Sequence, residues 1–172
     1  MATEPGAAGL PARGDAPPTD FDAIIALPFG PFGIRAHDGA VHEFVFLPPG
    51  TRLADPRNAT AGAAAHALRE WIDDPDQPFP VPLARTGTSF RQRVWAAISA
   101  IPRGRTATYG ALAAQLGSAP RAIGQACGAN PFPLIVPCHR VTAANGLGGF
   151  ANAHDRWLLD VKRWLLAFEG AL

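Results

Sequence analysis

Four prolines within ten residues, Pro75, Pro78, Pro80 and Pro82, divide this chain of 172 residues into two unlike parts. Proline fixes φ and has no N–H to donate, so neither a helix nor a central strand can run through residues 73–82, which read as a linker. The charge changes sign across it. Residues 1–85 hold six arginines against eleven acids, whereas residues 86–172 hold eight arginines and one lysine against three acids. No Asp or Glu occurs between Asp76 and Asp155, an interval that carries Arg85, Arg91, Arg93, Arg103, Arg105, Arg121 and Arg140. A field of one sign over half a chain points to a polyanionic partner, and nucleic acid is the natural one.

The length suits one domain or two small ones, and 48% hydrophobic residues are enough for a real core. Residues 1–20, rich in Ala, Gly and Pro without periodicity, read as a disordered tail. Residues 21–82 read as a small α/β domain. Short apolar runs at Ala23 to Leu27, Gly33 to Ala36 and Val41 to Phe46 are expected strands, with Asp38-Gly39 as the hairpin signal between the last two. Alanine-rich Thr60 to Ile72, with Leu68, Trp71 and Ile72 at helical spacing, predicts one helix. Residues 83–172 form the second domain. Thr88 or Ser89 caps a helix whose apolar positions are Phe90, Val94, Trp95, Ile98 and Ile101. Two short helices follow, about Tyr109 to Leu116 and Ala119 to Ala126, joined by a turn at Gly117-Ser118. With basic residues around them they make a helix-turn-helix candidate. A last amphipathic helix runs from Leu158 to Phe168, with Gly170 as its C-cap.

The chemistry concentrates in Pro137-Cys138-His139-Arg140-Val141, which follows the apolar run Pro133-Leu134-Ile135-Val136. That run reads as a buried strand ending abruptly at a proline, so the cysteine is expected at the lip of a core element. Cysteine attacks as thiolate, and a neighbouring imidazole can raise the thiolate fraction at neutral pH. Taken by itself, a Cys-His pair is more often a buried small hydrophobe beside a capping residue. The two cysteines, Cys127 and Cys138, could form one disulfide, against which a reducing compartment argues, and they lack the Cys/His partners of a structural zinc site. No stretch is apolar enough to span a membrane and no signal sequence starts the chain, so the expected location is cytoplasmic, in a bacterial cytosol or nucleoid.

Several blocks occur in order: Phe90-Arg91-Gln92-Arg93-Val94-Trp95, Ile101 to Thr106, Tyr109, Gly128-Ala129-Asn130-Pro131, the cysteine pentapeptide, and Lys162 to Gly170. From about Gly87 to Gly170 the chain thereby resembles the O6-alkylguanine-DNA alkyltransferases, also called methylated-DNA–protein-cysteine methyltransferases. The resemblance implies a ribonuclease-H-like α/β module followed by a mainly helical domain with a helix-turn-helix. It implies an irreversible, single-turnover transfer of the alkyl group from O6-alkylguanine in DNA to Cys138, with O4-alkylthymine as a further candidate substrate. His139 would generate the thiolate through a bound water, Glu169 would orient the imidazole, and Asn130 would brace the turn beside them. Arg121 would fill the stack after the base is extruded, and Tyr109 would press on the phosphate and protonate the leaving guanine. The plainer roles are a phosphate contact for Arg121 and a core aromatic for Tyr109. Ala122, Gln125, Arg105 and Thr106 would also face DNA, and Phe150, Val141, Ala151 and Trp95 would surround the alkyl pocket. Duplex DNA is the implied partner of a monomer, with no metal and no organic cofactor.

Three features depart from the family pattern. The turn before Arg121 is about two residues short, Phe150 stands where tyrosine is usual, and the loop from Ala151 to Asp160 is long. The competing readings are a non-catalytic, alkyltransferase-like binder of damaged DNA, a cysteine hydrolase using Cys138, His139 and Asn130, and a DNA-binding regulator. The binder would lack the reactive cysteine, and neither of the others accounts for a thiol beside a basic helix pair.

Overall fold

The computed structural model describes residues 20–151 and 155–172; residues 1–19 of the expected 1–20 tail and residues 152–154 lie outside them. Among the described residues the chain is an α/β protein with a three-stranded sheet, a two-stranded parallel pair and five α-helices. Strands β1 (Ala23–Leu27), β2 (Gly30–His37) and β3 (Ala40–Phe46) form an antiparallel sheet in that order. Asp38 and Gly39, at φ 52° and 81°, make the tight β2–β3 turn, in which both central residues need positive φ. Alternation along β1 buries Ala23, Ile25 and Leu27 in the main core, while Ile24 packs with Phe21 and Leu47 on the other face.

Helix α1 (Ala59–Asp73) covers the sheet and turns Ala61, Ala64, Ala65 and Leu68 inward. Its cap, Asn58, accepts a hydrogen bond from the Ala61 N–H at 2.8 Å and donates one to the Ala36 carbonyl at 3.0 Å, so one side chain starts the helix and ties it to β2. Residues 74–88 contain no helix. They do more than connect: the Pro82 carbonyl accepts from Val41 N–H at 2.8 Å, and the Ala84 N–H donates to the Val41 carbonyl at 2.7 Å, on the free side of β3. A proline suits this position because only its carbonyl is asked for. On the opposite side, Ile24 and Ala54 exchange two backbone hydrogen bonds.

The second half comprises α2 (Ser89–Ser99), β4 (Ala107–Thr108), α3 (Tyr109–Leu116), α4 (Pro120–Gly128), β5 (Val141–Thr142) and α5 (Arg156–Phe168). Thr88 caps α2 and Thr108 caps α3, each accepting from a backbone N–H three residues on. Gly117, at φ 64°, ends α3 in the left-handed conformation that glycine adopts without a Cβ penalty. β4 and β5 pair in parallel. One continuous cluster of buried apolar residues runs from the sheet through α2, α3 and α4 to α5. No described helix is long and apolar enough to cross a membrane.

Two expectations fail. Residues 133–136 are a turn and not a strand, and Cys138–Arg140 is one turn of 3₁₀-helix. Pro133 and Pro137 cannot donate to a ladder, Leu134 sits at φ 77°, and the Val136 N–H closes a local loop onto the Phe132 carbonyl at 2.8 Å. The run is apolar because it forms core, not because it forms sheet. The long loop also ends early: α5 begins at Arg156, so residues 156–160 are helical.

Candidate active site

Cys138, only 8% exposed, lies at a pocket of about 190 Å³. One wall is Cys127, Gly128, Asn130 and Pro133, another is Phe150, Ala151 and Leu158, and the third is β3 through Glu43, Phe44, Val45 and Phe46. The first half of the chain therefore supplies a pocket wall, which no local pattern in β3 announces. A hydrogen bond from Phe44 N–H to the Pro131 carbonyl at 2.8 Å and a Phe46–Phe150 ring contact at 5.1 Å hold β3 there.

Asn130 organises the turn that presents the thiol. Its Nδ2 donates to the Val136 carbonyl at 2.8 Å and to Cys138 Sγ at 3.1 Å, and its Oδ1 accepts from Phe132 N–H at 2.9 Å. The thiol itself donates to the Cys127 carbonyl at 3.7 Å. Hydrogen bonding with Cys127 pushes the Cys138 pKa above the ordinary thiol value, and burial adds to it; the Asn130 amide and the Lys162 charge pull the other way. At rest Cys138 is a thiol, and a base must act on it.

His139 is buried, with Nε2 2.9 Å from Glu169 Oε1. Glu169 also accepts from Arg140 Nε at 3.0 Å and from Arg140 Nη2 at 2.7 Å, and Arg140 Nη1 donates to the Ile101 carbonyl at 2.8 Å. Burial alone would raise the Glu169 pKa, but the hydrogen bonds from His139 and Arg140 outweigh it and bring the value down to about 2. The carboxylate is thus ionised and acceptor-only, which makes His139 Nε2–H the donor and leaves Nδ1 as the basic nitrogen. Desolvation holds the His139 pKa below 6.5 against the pull of Glu169, so the imidazole is neutral at physiological pH and able to take a proton.

Lys162, the chain's single lysine, is fully buried on α5. Its Nζ donates to the carbonyls of Val141 at 2.7 Å, Leu147 at 2.6 Å and Gly149 at 2.9 Å, which ties the Phe150 wall to the core. Burial lowers its pKa to about 8. Its signal in the sequence was a lone lysine inside the apolar stripe of the last helix. Tyr109 Oη donates to the Gly149 carbonyl at 3.3 Å, and burial raises the phenol to about 12, so it stays a proton donor. Phe150 and Ala151 line the pocket. Trp95 and Val141 do not: Trp95 Nε1 donates to the Ala126 carbonyl at 2.8 Å, bracing α2 against α4, and Val141 is core. The family resemblance implies both for the pocket, whereas packing turns them away from it.

Arg121 and Gln125 are exposed one turn apart on α4, with Ala122 half-buried between them; Arg105 and Thr106 are exposed before β4. None of these is within the thiol pocket's lining.

Residues 89–171 match the family profile described as 6-O-methylguanine DNA methyltransferase, DNA binding domain. Over 157 residues the chain is 35% identical to the methylated-DNA–protein-cysteine methyltransferase of Methanosarcina acetivorans, spanning 87% of this chain and 97% of that relative. The chain belongs to this methyltransferase family. It is therefore a DNA-binding enzyme of DNA repair. Within the same set of relatives stands a DNA base-flipping protein of Thermus thermophilus, 39% identical over 85% of this chain and 92% of that one. The crystal structure of Mycobacterium tuberculosis OGT in complex with DNA superposes on 85% of this chain and 90% of that one with a TM-score of 0.68 at 34% identity.

Proposed function

We propose that this methyltransferase reverses alkylation damage directly, moving the alkyl group of an O6-alkylguanine in duplex DNA onto Cys138 Sγ in a single, irreversible turnover. The carrying observation is a buried thiol at a pocket with a neutral imidazole as its sequence neighbour and an ionised carboxylate fixing that imidazole's tautomer. His139 takes the thiol proton through an intervening water, and the thiolate attacks the alkyl carbon. The C–O6 bond breaks as the S–C bond forms. Tyr109 Oη gives a proton to the departing base, so neutral guanine leaves. Asn130 Nδ2–H and the nearby ammonium of Lys162 stabilise the thiolate before attack.

The target oxygen lies inside the duplex and must be extruded. α3 and α4, joined by the three residues 117–119, serve as the helix-turn-helix, with α4 in the groove and Arg121 replacing the lost base in the stack. Arg105 and Thr106 hold the backbone, as suits sequence-independent scanning. The base-flipping relative supports the alternative of a binder without transfer, and Cys138 in the pocket favours transfer.

Intact mass after incubation with O6-methylguanine duplex separates the two. One methyl group per chain, mapped to Cys138 and absent in Cys138→Ser, is expected; binding without mass gain in the wild type would establish the alternative. Arg121→Ala should slow reaction with duplex more than reaction with free O6-benzylguanine, and equal losses would remove the intercalation role.

A further inference from the structure

The pocket holds two thiols. Cys127, on the last turn of α4, lines the same cavity as Cys138, and these are the only two cysteines of the chain. Cys138 Sγ approaches the Cys127 carbonyl to 3.7 Å, so the two residues stand side by side at the cavity. The eleven-residue span between them is not slack. Asn130 bonds both to Val136 and to Cys138 Sγ, and the backbone of residues 132–136 closes on itself, so the approach of Cys138 to Cys127 is built into the turn.

We propose that Cys127 and Cys138 form a reversible intramolecular disulfide that shuts the acceptor site. The proposal rests on the reading of Cys138 as the alkyl acceptor. Closure to an S–S bond of about 2 Å then asks for rotation of two side chains that line one cavity, not for a new course of the turn. Of the two, Cys127 has the lowered pKa, through its hydrogen bond with Cys138 and aided by the Lys162 charge, so it ionises more readily and meets a small oxidant first. A peroxide oxidises Cys127 to the sulfenic acid: the O–O bond breaks, an S–O bond forms and hydroxide leaves. Cys138 sulfur then attacks the Cys127 sulfur, the S–O bond breaks, and the oxygen departs as water with the thiol proton. Two thiols and one hydrogen peroxide thus give one disulfide and two waters. In the product Cys138 Sγ is bonded to sulfur and can no longer form the thiolate that displaces at carbon. Reduction by a dithiol restores it, which spares a single-use nucleophile from irreversible oxidation.

The test uses the full wild-type chain, free of DNA, treated with hydrogen peroxide. Non-reducing intact mass should show loss of two hydrogens, peptide mapping should join Cys127 to Cys138, and methyl transfer from O6-methylguanine duplex should fall by roughly tenfold or more until dithiothreitol returns it. In Cys127→Ser or Cys127→Ala, each compared with its own untreated transfer, prolonged peroxide should instead add oxygen to Cys138, and dithiothreitol should not rescue the loss. Oxygen addition without a crosslink in the wild type, or transfer that persists after peroxide, overturns the proposal. Failure of untreated wild type to accept a methyl group overturns the acceptor reading separately, because the crosslink is scored by mass alone.

Discussion

The two sides of the Cys138 pocket are built on different principles. Behind the thiol, His139, Arg140 and Glu169 form a buried cluster in which one carboxylate receives three hydrogen bonds from two residues. In front, the wall at Phe150 and Ala151 follows a glycine pair and hangs from the Lys162 ammonium and the Tyr109 hydroxyl. Gly148, at φ 72°, has no room for a Cβ, which would lie 2.9 Å from the Tyr109 ring. The rear holds a proton acceptor in one tautomer; the front lines the pocket. The two halves are anchored separately, the rear by Glu169 and the front by Lys162 and Tyr109.

Breaking the rear should have the largest consequence. Glu169→Ala strips His139 and Arg140 of their shared partner and leaves a buried guanidinium uncompensated, a loss of about 3–5 kcal/mol measurable by urea unfolding. Next in size is acid sensitivity. Glu169 has a folded pKa of about 2 against an ordinary 4.5, so its contribution is full above about 4.5 and disappears as the pH falls toward about 2. His139, whose folded pKa lies below 6.5, adds a loss that begins as the pH drops under 6.5, because the unfolded chain takes up that proton first. Unfolding free energies of Glu169→Gln across this range should lack the lower component, and a slope unchanged from wild type would detach the carboxylate from the rear cluster.

Lys162→Met should cost less, about 1–3 kcal/mol, through unsatisfied carbonyls at Val141, Leu147 and Gly149. Amide exchange should accelerate around residues 147–151 and stay slow at residues 138–140. Equal acceleration at both would erase the distinction between front and rear. The smallest change is Tyr109→Phe, which removes a single 3.3 Å hydrogen bond and should lower stability by less than about 1 kcal/mol, with any added exchange confined to Gly149 and its neighbours.

Local signals in the sequence carried far where physics is local. Asp38-Gly39 named its turn, and Tyr109 to Leu116 named its helix, because a threonine cap and a left-handed glycine bound it. The cysteine pentapeptide and the blocks around it named the family. Long-range placement was the part not legible. Glu43 to Phe46 alternate like any strand, and only the packed chain makes them a wall of the thiol pocket. Residues 133–136 have strand composition, yet their flanking prolines and the left-handed Leu134 impose a turn. Lys162 occupies an apolar position, and its three carbonyl partners come from segments 13 to 21 residues away. Arg140 counted toward a basic surface and instead spends its charge on Glu169.

The small sheet has one more property that follows from its borders. A three-stranded antiparallel sheet has two outer rows of backbone groups, each a template on which another copy of the chain could add a strand. Here Ala54 occupies one row and the proline-rich stretch through Pro82 and Ala84 occupies the other. The prolines beside that contact have no N–H with which to continue a ladder outward. Resistance to edge-to-edge aggregation thus resides in a stretch of chain that takes no part in the chemistry.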